Sequence, residues 1–169
     1  MLLRVLLPAI LISTAAAIAQ ETPDSIVSEH GSVWFAGQPT EADLQAWSEA
    51  GVTTIINLRP DSEMEGVDFD EPAAIDALGI SYTNIPMPRE AYTPETVDLI
   101  GQTLETAQGR VVVHCTIGWR ASHSYTAYLI ESGHMTPQEA VDLNLWPRDG
   151  INEEMMRRLS PAYAAAFPE

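Results

Sequence analysis

Short apolar runs alternate with amphipathic segments along the chain. The runs VTTIINL (52–58), ISYTNI (80–85) and RVVVH (110–114) predict strands. The first is rich in β-branched residues and contains no charged residue, as expected for a strand buried on both faces. Two shorter strands are predicted in SIVSEHGSVWFAGQPT, on either side of Glu29-His30-Gly31.

Helices are predicted between and after these strands. Thr40, with Asp43 three residues later, starts a helix that ends at Gly51. Further starts are predicted at Pro72, as the first helical residue of PAAIDAL, at Thr93-Pro94, near Arg120, at the capping box Thr136-Pro137-Gln138-Glu139 and after Ile151.

The alternation of strands and helices predicts an α/β fold. We expect a three-layer sandwich with a mainly parallel central sheet flanked by helices on both faces. Ligands bind beyond the carboxyl ends of the strands in such folds. The loops 59–71, 86–92 and 115–120 are predicted to meet there.

The first nineteen residues have the pattern of a secretory leader. Arg4 precedes an apolar run at 5–12, and small residues end at Ala17-Ile18-Ala19. We therefore expect a signal peptide at 1–19 and a single domain at 20–169 that is periplasmic or secreted. The apolar run is too short to cross a bilayer, so we expect no stable membrane anchor after cleavage.

The chain is strongly acidic. Its formal charge is −16, becoming −17 without Arg4, and it contains no lysine. Such a charge repels nucleic acid and anionic membranes, so neither is an expected partner. Any anion that binds must be held by local donors.

The segment VVVHCTIGWRAS (111–122) contains the only cysteine. A strand, a glycine-containing loop and a helix predict backbone amides that converge on an anion above the helix N-terminus. Arg120 adds a planar, two-pronged donor, and the same donors stabilise a thiolate at Cys115. We predict that Thr116, Ile117, Gly118 and Trp119 form the wall of this substrate site.

The residues HCTIGWR resemble the signature loop of cysteine-dependent protein tyrosine phosphatases, particularly the dual-specificity type. The span 25–145, with AGQPTEADLQAWSEAGVTTIINLRPDSE at its front, resembles the small bacterial phosphatase-like domain of beta-lactamase-hydrolase-like proteins. The resemblance implies a tyrosine-phosphatase-like fold, Cys115 as nucleophile and Arg120 as oxyanion clamp. It also implies a phosphorylated protein or a small phosphoester or other oxyanion as substrate, without metal or other cofactor.

The length of the loop keeps two other functions open. Four residues separate Cys115 from Arg120, whereas the wider phosphatases have five. The shorter loop also resembles that of rhodanese-type sulfurtransferases, which predicts a persulfide on Cys115 as an alternative. A non-catalytic anion-binding or redox module is a third hypothesis.

A general acid is harder to assign. The loop PMPREAYT contains no aspartate, so Glu90 is the first candidate; Asp61 and Glu63, in the segment LRPDSE, are the others.

Further residues around the loop are expected to support it or to line the site. His114 is expected to support the loop from beneath. Arg59 either contacts the bound anion or pairs with acids of its own loop. Trp119 either stacks on an aromatic substrate or packs against a neighbouring loop. A metal site of His114, Cys115 and His123 is not expected, because the residues lack a ligand pair at a usual spacing.

Overall fold

A five-stranded sheet forms the centre of the protein in the computed structural model, which describes residues 23–169. The predicted leader at 1–19 lies outside the described residues. The strand order is β1-β2-β5-β3-β4, with β1 antiparallel to β2 and the other neighbours parallel. The strands are β1 (Ile26–His30), β2 (Val33–Ala36), β3 (Val52–Asn57), β4 (Ser81–Asn84) and β5 (Arg110–His114).

The strand register brings the carboxyl ends of four strands together. His114 on β5 pairs with Ala36 on β2 and with Asn57 on β3, and Asn57 pairs in turn with Asn84 on β4. The segments that follow these strands therefore leave the same edge of the sheet. This edge carries the cysteine loop.

Helices cover both faces of the sheet. The helices α1 (Glu41–Glu49) and α3 (Glu71–Ala77) contact each other on the face where Trp34, Trp47 and Ile55 are buried. The opposite face is covered by α4 (Pro94–Thr106), α5 (Trp119–Glu131), α6 (Pro137–Leu143), α7 (Glu153–Leu159) and α8 (Pro161–Ala166). The predicted α/β sandwich is confirmed. Within residues 23–169, no helix has the length and apolarity to cross a membrane.

The local signals for helices are mostly confirmed, with two differences. Thr40 and Thr136 form the predicted capping boxes. Pro72 is the second helical residue, because the Asp70 side chain caps α3 one position earlier than predicted. The segment 59–71, predicted as a loop, contains the single-turn helix α2 (Asp61–Met64).

Candidate active site

The cysteine loop joins β5 to α5, and Cys115 lies at its base. The residue is 1% exposed and its thiol is free. The Gly118 backbone N–H donates to Cys115 Sγ at 3.2 Å, and the Cys115 N–H donates to the carbonyl of Ala36 on the neighbouring strand at 3.3 Å. The sulfur is therefore held by the loop's own amide, beneath the start of α5.

Gly118 is required at the N-cap position of α5. Its φ is +90°, a conformation that side chains disfavour. A Cβ there would also lie 3.2 Å from Val27 Cγ2 and 3.4 Å from the Ala36 backbone. The tight turn thus depends on glycine twice, for its dihedral angle and for its packing against the first two strands.

Arg120 connects the three loops at this edge. The side chain is 7% exposed, and Nη1 donates to the carbonyls of Met87, at 3.2 Å, and Leu58, at 3.4 Å. Nη2 donates to Thr116 Oγ1 at 3.1 Å. Burial opposes the charged form, but Glu63 and the attraction of Cys115 outweigh it and raise the pKa of Arg120. The guanidinium is fixed and charged next to the sulfur.

Glu63 is the carboxylate that contacts this cluster. Its Oε2 accepts from Arg120 Nη2 at 2.5 Å and from Thr116 Oγ1 at 2.7 Å, and lies 3.5 Å from Arg59 Nε. Burial acts to raise its pKa, but these donors and the two positive charges outweigh it and lower the pKa. An ionised carboxylate therefore occupies side-chain donors that a bound oxyanion would use.

Glu90, the first candidate for the general acid, lies elsewhere. It is exposed in the 3-10 turn Arg89–Ala91, and in the described part of the chain it makes no hydrogen bond to the cysteine loop. The geometry therefore favours Glu63 over Glu90 as the carboxylate that contacts Arg120. Glu63 is likewise favoured over Asp61, which is exposed at the first position of α2.

Arg59 turns towards its own loop. Its Nη1 donates to Gln38 Oε1 and its Nη2 to the backbone carbonyl of Glu63. It is 7% exposed. Of the two interpretations of Arg59, the ion pair with an acid of its own loop is the one present.

A buried polar network lies beneath the loop. His114 Nε2 lies 3.1 Å from Glu71 Oε1, and both side chains are inaccessible. Glu71 also accepts from Gln38 Nε2 at 2.5 Å and from Asn57 Nδ2 at 3.2 Å. Burial opposes ionisation of Glu71, but hydrogen bonding and attraction from His114, with help from Gln38 and Arg59, lower its pKa. His114 therefore lies directly before the loop, next to an ionised Glu71, and its support of the loop stays a prediction.

Trp119 is the first residue of α5 and packs against two other rings. Its ring contacts Tyr92 edge-on, with centroids 6.4 Å apart, and His123 at 4.9 Å. It also lines a cavity of about 270 Å³, together with Arg89, Tyr92, Asn152, Glu154 and Met155. Packing against a neighbouring loop is therefore present, and stacking on an aromatic substrate stays a prediction.

His123 has both ring nitrogens engaged inside the protein. Nδ1 lies 2.7 Å from the Trp119 carbonyl, and Nε2 accepts from the Asn152 backbone N–H at 2.9 Å. Over residues 23–169 there is no group of three or more His, Cys, Asp and Glu side chains arranged to hold a metal ion.

Comparison with known proteins places this site in a family. Residues 26–130 match the model of the phosphatase-like domain of beta-lactamase hydrolase-like proteins. The chain belongs to this phosphatase-like family. A beta-lactamase hydrolase-like protein of Xylella fastidiosa is 31% identical over 68% of the chain, and one of Agrobacterium fabrum is 37% identical over 54%. The chain spans 27% and 22% of the length of these relatives.

Solved structures show that the phosphatase-like domain has a tyrosine-phosphatase-like fold. Tk-PTP superposes with a TM-score of 0.69 at 20% identity, covering 83% of this chain and 97% of its own. Kinase-associated phosphatase gives 0.65 at 16% identity, covering 75% and 83%. The Neisseria meningitidis protein nma1982 gives 0.63 at 22% identity, covering 80% and 97%.

Two residues of the phosphatase-like site were missed or ranked low by the sequence analysis. Glu71 was not singled out, because it reaches His114 only when the start of α3 lies beside the carboxyl ends of β3 and β5. Glu63 was placed behind Glu90, because spacing along the chain does not show which acidic side chain reaches Arg120. The polar segment LRPDSE, which follows a buried strand, was the available signal.

Proposed function

We propose that this domain is a cysteine-dependent phosphatase of the tyrosine or dual-specificity type. The observation that carries the proposal is the placement of Cys115 Sγ within the loop, bonded to the Gly118 amide and next to a charged, immobilised Arg120. Family membership and the fold support it. One structural neighbour, kinase-associated phosphatase, was solved with its catalytic-site cysteine replaced by serine.

The proposed reaction has two displacements at phosphorus. The Cys115 thiolate attacks in line, an S–P bond forms, and the P–O bond to the leaving group breaks with its electron pair on oxygen. Water then attacks the phosphocysteine and loses a proton to the solvent, the S–P bond breaks with its electron pair on sulfur, and phosphate and the thiolate are released. Arg120 and the loop amides hold the non-bridging oxygens through both steps.

Glu63 sets two features of this mechanism. The substrate must displace its carboxylate from Arg120 and Thr116, so Glu63 competes with the phosphoryl group for donors. Its lowered pKa leaves it ionised near neutral pH, where it has no proton to give. We therefore propose that good leaving groups, such as phenoxide, are preferred in either a phosphorylated protein or a small phosphoester.

Sulfur transfer is the second candidate, favoured by the four-residue loop between Cys115 and Arg120. A smaller ring of donors suits a sulfane sulfur better than a tetrahedral phosphoryl group. In that reaction the Cys115 thiolate would take a sulfur atom from thiosulfate, releasing sulfite, and pass it to a thiol acceptor. We also propose a periplasmic or secreted location, on the basis of the leader pattern at 1–19.

A parallel assay tests the two candidates. Hydrolysis of an aryl phosphate and sulfur uptake from thiosulfate are measured with wild type and with Cys115→Ser. Phosphate release that falls by at least about a thousandfold in Cys115→Ser supports the phosphatase. A one-sulfur adduct on the wild type without phosphate release supports the sulfurtransferase. Phosphate release that survives the substitution contradicts the proposal.

Arg120→Lys keeps the positive charge and removes the planar fork. We expect a loss of about a hundredfold or more in kcat/KM, as for the removal of one oxyanion donor. Arg157→Lys is the matched control, because Arg157 pairs with Glu153 and the Phe167 carbonyl, away from the loop. Equal losses in both variants would indicate a fold defect, which a thermal melt would show.

A further inference from the structure

Five of the arginines of this acidic protein lie around the cysteine loop. Seven arginines follow residue 22, in a chain with 24 acidic residues and no lysine. Arg120 is in the cysteine loop, and Arg59 reaches it through Glu63. Arg148 lines a hollow beside Thr116 and Ile117, and Arg89 and Arg158 lie on the Trp119 side. Arg89 and Arg158 are among those that have no role in the proposed mechanism.

Arg158 connects the ring of Tyr92 with the backbone of Arg89. The Arg158 guanidinium lies 5.3 Å from the centre of this ring, and its Nη2 donates to the Arg89 carbonyl at 2.6 Å. The Tyr92 phenol lies within electrostatic range of Arg120 and Cys115 as well as of Arg158; burial raises its pKa. Tyr92 therefore lies between the cysteine loop and Arg158.

The cavity lined by Tyr92 and Trp119 has the features of a second binding site. It opens next to Trp119, has a volume of about 270 Å³ and combines the cation of Arg89 with the amide of Asn152 and the apolar face of Met155. Arg89 is paired with Glu154 at 2.5 Å, but the two side chains are 72% and 66% exposed. Exposed ion pairs are weak, so a ligand anion can compete for this arginine.

We propose that this cavity binds a second negatively charged group of the substrate, a carboxylate or a second phosphoryl group, while the cysteine loop holds the phosphoester. Arg89, which lines the cavity, selects this group, and Arg158 positions Arg89 through its hydrogen bond to the Arg89 carbonyl. The substrate class is thus a phosphoester with another anion close to the scissile phosphate, attached through an apolar or aromatic spacer that lies along Trp119 and Tyr92. The inference rests on the proposed function, because that function places the phosphoester in the cysteine loop.

The test compares two probes that differ in one charge. These are carboxyphenyl phosphate, as its 3- and 4-isomers, and the corresponding carbamoylphenyl phosphates. The readout is the ratio of kcat/KM for the charged and the neutral probe, so that differences between the two leaving groups cancel between variants. In Arg89→Gln and Arg158→Gln we expect this ratio to fall about three- to fivefold for at least one isomer.

Arg157→Gln is the matched control. It removes the same charge at the position next to Arg158, and the partners of Arg157 are Glu153 and Phe167. Its ratio should change by less than about twofold, as expected for a screened surface charge. Unchanged ratios in both test variants, or an equal fall in the control, would overturn the second site in favour of a general field effect.

A binding measurement separates this proposal from the proposed function. Calorimetry on Cys115→Ser compares its affinity for the charged and the neutral probe without turnover. Tighter binding of the charged probe that is lost in Arg89→Gln supports the site even where wild type hydrolyses neither probe. Equal affinities, or no binding of either probe, contradict it. Hydrolysis of the neutral probe that requires Cys115 supports the phosphatase separately.

Discussion

Replacing Glu63 by Gln tests whether this carboxylate competes with the substrate. In the free protein, one oxygen of Glu63 accepts from Arg120 Nη2 at 2.5 Å and from Thr116 Oγ1 at 2.7 Å. The amide of Gln has nearly the same size but no charge, so the variant removes the competing anion and leaves the donors in place. We expect inorganic phosphate, the product of the proposed reaction, to bind more tightly.

The magnitude follows from the exposure of the pair. A hydrogen bond to a charged group contributes about 1.5 to 3 kcal/mol when it is well buried. The Glu63 side chain is 34% exposed, and solvent screening reduces this to about 1 kcal/mol. The inhibition constant for phosphate should therefore fall about fivefold.

The assay is competitive inhibition of aryl phosphate hydrolysis by phosphate. Glu65→Gln is the control, because Glu65 is exposed in the same segment and its loss removes the same charge. The kcat of Glu63→Gln should change by less than about threefold, whereas loss of a required proton donor would lower it by about a hundredfold or more. A large fall in kcat without tighter phosphate binding would refute competition by Glu63.

Two further substitutions test the frame of the site. Gly118→Ala should lower the free energy of unfolding in guanidinium melts by about 1 to 3 kcal/mol, because φ is +90° and the new Cβ meets Val27 and Ala36; an unchanged midpoint would contradict this. Glu71 has a pKa below the ordinary value of 4.5 for a glutamate, so its ionisation stabilises the fold above that pH, and this contribution is lost as pH falls through the lower folded-state value. The stability difference between wild type and Glu71→Gln should therefore shrink on acidification below about pH 4.5, and a constant difference would argue against an ionised partner for His114.

The parts of the fold that depend on local chemistry could be predicted from the sequence. The Thr40 and Thr136 capping boxes involve groups three residues apart, so the chain itself brings them together. The apolar run at 52–58 indicated a central strand because only burial on both faces favours such a composition. Parallel strands then place the cysteine loop at the carboxyl edge, which is where it lies.

The contacts that adjust the site could not be predicted in the same way. Glu63 meets Arg120 across 57 positions of sequence, and the contact depends on the single turn of α2, which was predicted as loop. Glu71 contacts His114 only because α3 begins beside the carboxyl ends of β3 and β5. Acidic residues are so frequent in this chain that their positions alone do not distinguish a partner of the site from a solvated side chain.

The central claim is that Cys115 carries the phosphoryl group during the reaction. Rapid acid quench of the wild type during turnover of an aryl phosphate, followed by intact-mass and peptide analysis, tests it directly. The account predicts a gain of one phosphoryl group on the peptide that contains Cys115, and its absence in Cys115→Ser. Steady release of phosphate by an enzyme whose Cys115 stays unmodified, or the same release from Cys115→Ser, would contradict it.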